Sequence, residues 1–230
     1  MKDKMENKTV VISIGGSIIV PDAIDTAFLK KFRKLILELA QDKRFVLISG
    51  GGKTCRKYND AVDKIVTAEK DDKEWLGIQA TLLNAHLLKC ILSEVCCSKI
   101  VQDPDGDIIF DKKVLLAGGW KPGWSSDYCA VRFAQRFGIS TVINMTNTDY
   151  VYDKDPNKHS NAKPIQNLAW QDMKKLVGDK WSPGLSLPFD PIASAEAEKA
   201  GFKVIILSND IKNLKKCITG KKFKGTTISL

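Results

Sequence analysis

The chain has 230 residues, 43% of them hydrophobic, enough for one large domain or two small lobes around a real core. No stretch stays apolar for the roughly 18 residues that a membrane span needs, and the charged start, 1–8, lacks the apolar segment of a secretory signal, so a cytoplasmic protein is expected. The net charge of +9, with lysines crowded at 212, 215, 216, 221, 222 and 224, would suit nucleic acid, small polyphosphate substrates or a solvated face alike. No aromatic-basic interleaving of an RNA-binding motif accompanies it, so nucleic acid is not an expected partner. The six cysteines (55, 90, 96, 97, 129 and 217) form no C-x-x-C pair and read as free thiols of a reducing compartment. With two histidines and no Cys/His cluster, no zinc site is expected.

In chain order, Val10 to Ile14 reads as a buried strand running into Gly15-Gly16-Ser17. Phe28, Phe32, Leu35, Ile36 and Leu39 recur at helical spacing, which predicts a helix over 25–40. A strand over 44–49 ends in Gly50-Gly51-Gly52, and Tyr58, Val62 and Ile65 continue a helix behind it. Trp75, Ile78, Leu82, Leu83, His86, Leu87 and Cys90 mark a longer helix, with His86 read as core or rim. A strand over 113–119 leads into WKPGWSSDYCAVRFA, where Ser126 or Asp127 is suited to cap the next helix. STVINM is a further strand and runs into a polar loop of roughly twenty residues, a length that usually means function. Helices over 170–177 and from Asp190 to Gly201, a strand over 202–207, a short helix over 210–218 and a closing strand complete an alternating α/β pattern.

Gly52-Lys53-Thr54 ends like a P-loop, G-x-x-x-x-G-K-[ST]. The first glycine of that motif would stand at 47, where Leu47 sits inside an apolar run. What remains is a strand, a glycine turn and a helix start, still an anion site because free N–H groups and the helix dipole face the ligand. Gly15-Gly16, Gly50-Gly51-Gly52 and Gly118-Gly119 with Gly123 make three such turns, the alternative being that the glycines merely permit tight turns. Turns on one carboxyl edge of an open sheet would aim several helix N-termini at one region, suiting more than one phosphate group.

The motifs IGGSIIVP, GGGKTCRKY, WLGIQATLLNAHLL, GGWKPGWSSDYCAVRFA, TNTDYVYDKDP, FDPIASAEAEKAG and the final GTTI resemble the amino-acid-kinase superfamily and, within it, the UMP kinases of the archaeal type. The resemblance spans nearly the whole chain. It implies a three-layer αβα sandwich with a central, mainly parallel sheet, forming a single domain over 1–230. An acceptor lobe would occupy 1–140 and an ATP lobe 141–230. It implies transfer of a phosphoryl group from ATP to UMP with Mg2+ and no covalent intermediate, in a homo-oligomer, the family being usually hexameric. Gly16, Ser17, Gly52, Arg56, Thr146, Asn147, Tyr152 and Asp155 would hold ATP. Gly51, Glu74 and the segment Trp120, Lys121, Pro122, Gly123, Trp124, Ser125, Ser126 would hold UMP. Asp127 would orient the catalytic cations, with Lys53 and Arg56 the candidate cations at the transferred phosphate and Asp190 in support. No metal ligand set is assigned.

Several positions depart from the family pattern. A lysine common two residues before the first glycine pair is Ser13, a loss shared by the archaeal branch. The aspartate expected at the ribose hydroxyls is Glu74, and an arginine of the following helix is Leu83. The glycine of the V-D-G-V-Y run is Tyr150, so that turn must avoid a left-handed backbone or accept strain. Ser126 stands for a threonine, and Trp120 and Trp124 are bulky additions to the phosphate loop, read as packing or as contacts to ribose or base. The alternatives to a UMP kinase are a kinase of another small phosphate or carboxylate on the same fold, a non-catalytic nucleotide-binding protein, and a nucleic-acid-binding regulator.

Overall fold

Apolar runs such as Phe45-Val46-Leu47-Ile48 are buried along their whole length, which is what a strand covered on both faces requires. The computed structural model describes residues 8–156, 158–178 and 187–230, so the charged start read above lies almost wholly outside the described residues. The first half runs β1 (Thr9–Ile14), α1 (Gly16–Ile19), α2 (Thr26–Leu39), β2 (Arg44–Ser49), α3 (Gly52–Ile65), α4 (Lys70–Ile91), β3 (Cys96–Val101), β4 (Val114–Ala117) and α5 (Ser126–Arg136). The second half runs β5 (Thr141–Met145), β6 (Val151–Tyr152), β7 (Pro164–Ile165), β8 (Asn167–Ala169), α6 (Trp170–Val177), α7 (Pro191–Lys199), β9 (Lys203–Leu207), α8 (Ile211–Ile218) and β10 (Thr226–Ser229).

Eight of these strands form one sheet in the order β3-β4-β2-β1-β5-β9-β10-β8. The run from β3 to β9 is parallel throughout, and β10 reverses against β9. Strands that precede residue 140 therefore occupy one half of the sheet, and later strands the other. Alternate residues feed two cores. Val46, Ile48, Leu115 and Val142 pack on one face with Val131, Met173 and Ala197 of α5, α6 and α7. Phe45, Leu47, Val114 and Ile143 pack on the other with Phe32, Leu88 and Leu214 of α2, α4 and α8. The result is the three-layer αβα sandwich that the sequence leads one to expect.

Some local structure differs from the expectation. A short helix, α1, follows Gly15 directly, and β3 forms an edge strand from CCSKIV. The long polar loop is not structureless: β6 and β7 pair within it. Thr146 Oγ1 accepts the Thr148 N–H at 3.0 Å, and Lys163 N–H bonds Asp153 Oδ1 at 2.8 Å. Among the described residues no non-glycine residue has positive φ, so the turn at Tyr150 avoids the left-handed backbone. The six cysteines are all free.

Candidate active site

The three glycine turns leave β1, β2 and β4, which lie side by side and parallel, so they meet at one carboxyl edge. The first two touch. A Cβ at Gly16 would fall on the backbone of Gly50, Gly51 and Gly52, and one at Gly52 would fall on that of Gly16. Any side chain at either position would push two helix starts apart.

Helix α4 pins the second and third turns, and the residues that do so belong to its WLGIQATLLNAHLL motif. Asn84, buried, donates its amide to Gly50 O at 2.8 Å. Thr81 Oγ1 accepts the Gly119 N–H at 2.7 Å while donating to Ile78 O, and Ser49 Oγ donates to Thr81 O at 2.8 Å. Sequence reasoning saw this helix but not these ties, because their partners lie 32 to 38 residues away.

Between α3, α4 and the 119–126 loop lies a cavity of about 770 Å³, a size suited to a small-molecule ligand. Of the residues assigned above, Gly51, Gly52, Arg56, Glu74, Lys121, Trp124, Ser125, Ser126 and Asp127 line it, and Asp190 joins them. Trp120, Pro122 and Gly123 do not line it, although they belong to the same loop. Cys55, Asn59 and Asp63 line it too. These were missed, and the signal was available: with Gly51 they recur every four residues on one face of α3. Asp63 is paired with Lys73 of α4 at 2.8 Å. Trp75 is 45% exposed and does not line the cavity, and Leu83 and His86 are exposed on the same helix.

Ser125, not Ser126 or Asp127, caps α5: its hydroxyl accepts the Tyr128 N–H at 3.0 Å. That leaves Asp127 in the first turn with its carboxylate free for other partners. Oδ1 accepts the Ser13 hydroxyl and Oδ2 accepts the Asp190 N–H, both at 3.2 Å. Ser13, standing where many superfamily members carry a lysine, is thus against Asp127 and brings no positive charge. Burial, and then the neighbouring Asp190 charge, push the Asp127 carboxyl up to about 7. Asp190 caps α7 through Oδ1, which accepts the Ala193 N–H at 2.6 Å. Its Oδ2 is buried with no hydrogen-bond partner, and burial raises its pKa as well.

Lys53 lies outside the cavity lining, its ammonium 2.9 Å from Asp22. That contact, with Lys57 behind it, holds the exposed Asp22 carboxyl below its usual range. The loop after β4 is packed from behind by an aromatic ladder: Trp120 lies edge-on to Trp124 at 4.5 Å, and Trp124 edge-on to Tyr128 at 4.4 Å. Lys121 lies 3.9 Å over the Trp120 ring. Both indoles pack on the core, and Trp124 also borders the cavity.

Of the eight residues assigned to ATP, Gly52 and Arg56 line this cavity and the other six fall elsewhere. Gly16 and Ser17 open α1, and Thr146 and Asn147 follow β5, the next strand on the other side of β1. The Thr146 N–H is tied to Leu207 O of β9 at 2.8 Å. Tyr152 is on β6, edge-on to Tyr150, and Asp155 lies beyond it in the loop. None of these six lines the cavity.

The chain is similar to known proteins over nearly its whole length. The model of the amino acid kinase family matches residues 8–208. A uridylate kinase of Pyrococcus abyssi is 33% identical over 223 residues, covering 95% of this chain and 98% of its own. One from Thermoplasma volcanium is 33% identical over 226 residues, covering 96% and 98%. The crystal structure of uridylate kinase from Archaeoglobus fulgidus superposes with a TM-score of 0.83 at 27% identity, over 96% of this chain and 100% of that one.

Proposed function

The chain belongs to the amino acid kinase family, and we propose that within it this protein is a UMP kinase, moving the γ-phosphoryl group of ATP onto UMP to give ADP and UDP for pyrimidine nucleotide synthesis. The observation that carries the proposal is the single cavity that the second glycine turn, α4 and the 119–126 loop all line, with Asp127 and Asp190 in its wall. We take it as the UMP site. The half of the sheet built from 1–140 is then the acceptor lobe. The half built from 141–230, reached across β1 at Thr146 and Asn147, is the ATP lobe. Among the described residues no helix is long and apolar enough to cross a membrane. We place the enzyme with the free nucleotides of the cytoplasm and expect it to assemble as a homo-oligomer, like its family.

The chemistry asks little of the protein beyond position and charge. A phosphoryl group in transfer needs its donor and acceptor in line and its oxygens neutralised. The N-termini of α3 and α5 present backbone N–H groups and partial positive charge toward the cavity. Arg56 and Lys121 supply full charges on its wall. Lys53 would have to leave Asp22 first, and an exposed, solvent-screened pair of this kind holds it only weakly. Asp127 and Asp190 suit a divalent cation: they are two neighbouring carboxylates, one with an unpartnered buried oxygen. Mg2+ is usually held by one or two carboxylates together with substrate phosphates, so these two would hold it here. The ion, when bound, supplies charge neutralisation at the phosphates. The Ser13 hydroxyl and the Asp190 N–H orient the Asp127 carboxylate. The test is a coupled assay with ATP, Mg2+ and a panel of acceptors. Transfer to UMP is expected, transfer only to another small phosphate or carboxylate would change the substrate, and no transfer at all would leave a nucleotide-binding protein.

A further inference from the structure

Glu74 lies one turn into α4 with its side chain only 6% exposed. A carboxylate so placed needs partners, and it has two. Oε1 is 3.5 Å from Lys70 Nζ, and Oε2 accepts the N–H of Gly123. Gly123 is a glycine for its backbone and not for room: its φ is +84°, and an added Cβ would meet nothing within 4 Å. The loop is tied at both ends, by Gly119 N–H to Thr81 Oγ1 and by the Ser125 cap. In between, Trp124 N–H returns only to Lys121 O, within the loop itself. The bond from Glu74 therefore joins the tip of the loop to α4. An aspartate, shorter by one carbon–carbon bond of about 1.5 Å, would not hold that bond from the same Cα.

We infer that Glu74 is a positioning residue for the phosphate-binding loop, holding Gly123 through Oε2 while Oε1 stays paired with Lys70. One side chain of α4 then sets the shape of the loop that borders the cavity. This rests on the UMP kinase reading for the identity of the ligand, but the contact to Gly123 does not.

The test compares UMP with uridine, which lacks the phosphate, binding to the full chain by calorimetry in wild type, Glu74→Gln, Glu74→Asp and Glu74→Ala, with folding checked by thermal melts. If Glu74 served the ribose alone, each substitution would weaken both ligands by the same factor. With Glu74 positioning the loop, Glu74→Ala and Glu74→Asp lower the preference for UMP over uridine by about tenfold, the scale of one lost hydrogen bond to a charged group. Glu74→Gln keeps most of the preference, because its amide oxygen still accepts from Gly123. Hydrogen exchange at the Gly123 amide gives a readout free of ligand: slow in wild type, and about tenfold faster in Glu74→Ala. An unchanged UMP-to-uridine ratio in both the Asp and Ala variants, or unchanged exchange at Gly123, would overturn the inference. A wild type that neither binds nor phosphorylates UMP would remove the substrate reading instead, while the exchange experiment would still decide whether Glu74 holds the loop.

Discussion

Asp127 concentrates the charge problem of the site into one residue. It faces Ser13 where a lysine would have balanced it, and it lies beside a second carboxylate. If its charge orients the groups that stabilise the transition state, Asp127→Asn lowers kcat by about 10²- to 10³-fold, the loss typical of one preorganised electrostatic group. KM should change little, and the variant should still fold. A role confined to the start of α5 would leave kcat nearly untouched, because Ser125 already provides the cap. The same residue sets a pH signature. Its pKa in the folded state, about 7, lies above the ordinary value of 3.8. The folded protein therefore holds this proton more tightly than the unfolded chain does. The contribution is fully present below about pH 4 and is lost as pH rises through about 7. Thermal melts of ligand-free protein in chelator should thus show Asp127→Asn gaining on wild type between pH 5 and pH 8. A difference in melting temperature that stays flat across that range would mean that Asp127 is not strained by its surroundings.

At the scale of elements, the second and third glycine turns with α3 and α4 make the cavity, and the loop after β4 closes one side of it. Trp124 borders the cavity and Trp120 packs edge-on against its indole. If this loop orders around the acceptor phosphate, adding UMP without ATP should shift the intrinsic fluorescence, as closing segments exclude water. The shift should shrink in Trp124→Phe and be weak with uridine. Trp75→Phe, an exposed position off the cavity, should leave it intact. An equal response to uridine and UMP would mean that residues 120–126 do not read the phosphate. Much of this layout was legible in the sequence because its signals are local: strands that end in glycine pairs, helical spacing from Phe28 to Leu39, and Asp190 before Pro191. What escaped depends on distant partners or on weak patterns. β3 is an edge strand whose outer residues Ser98 and Lys99 are exposed, so it carries no apolar run. The pairing of β6 with β7 rests on two residues each. The sequence reading places the cap at Ser126 or Asp127, one or two residues past Ser125, since three adjacent short polar side chains carry no local signal that separates them, and the ties from Thr81 and Asn84 to the glycine turns exist only once α4 is packed. Lys53 read as a free cation next to a glycine turn, since nothing local pointed to Asp22 some thirty residues earlier in the chain.

At the scale of the whole molecule, the sheet order divides the chain at the point where β5 follows β1, and the proposed acceptor and donor sites fall on either side of that division. The surplus of positive charge suits two phosphorylated substrates converging on one edge. The central claim is that the cavity between α3 and α4 takes UMP as the acceptor of a phosphoryl group from ATP. The direct measurement is kcat/KM for UMP, CMP, AMP and GMP with ATP and Mg2+, following ADP release and identifying the product. The account predicts UDP formation from UMP with kcat/KM well above that for either purine nucleotide. Comparable values for AMP or GMP, or ADP release without UDP, would contradict it.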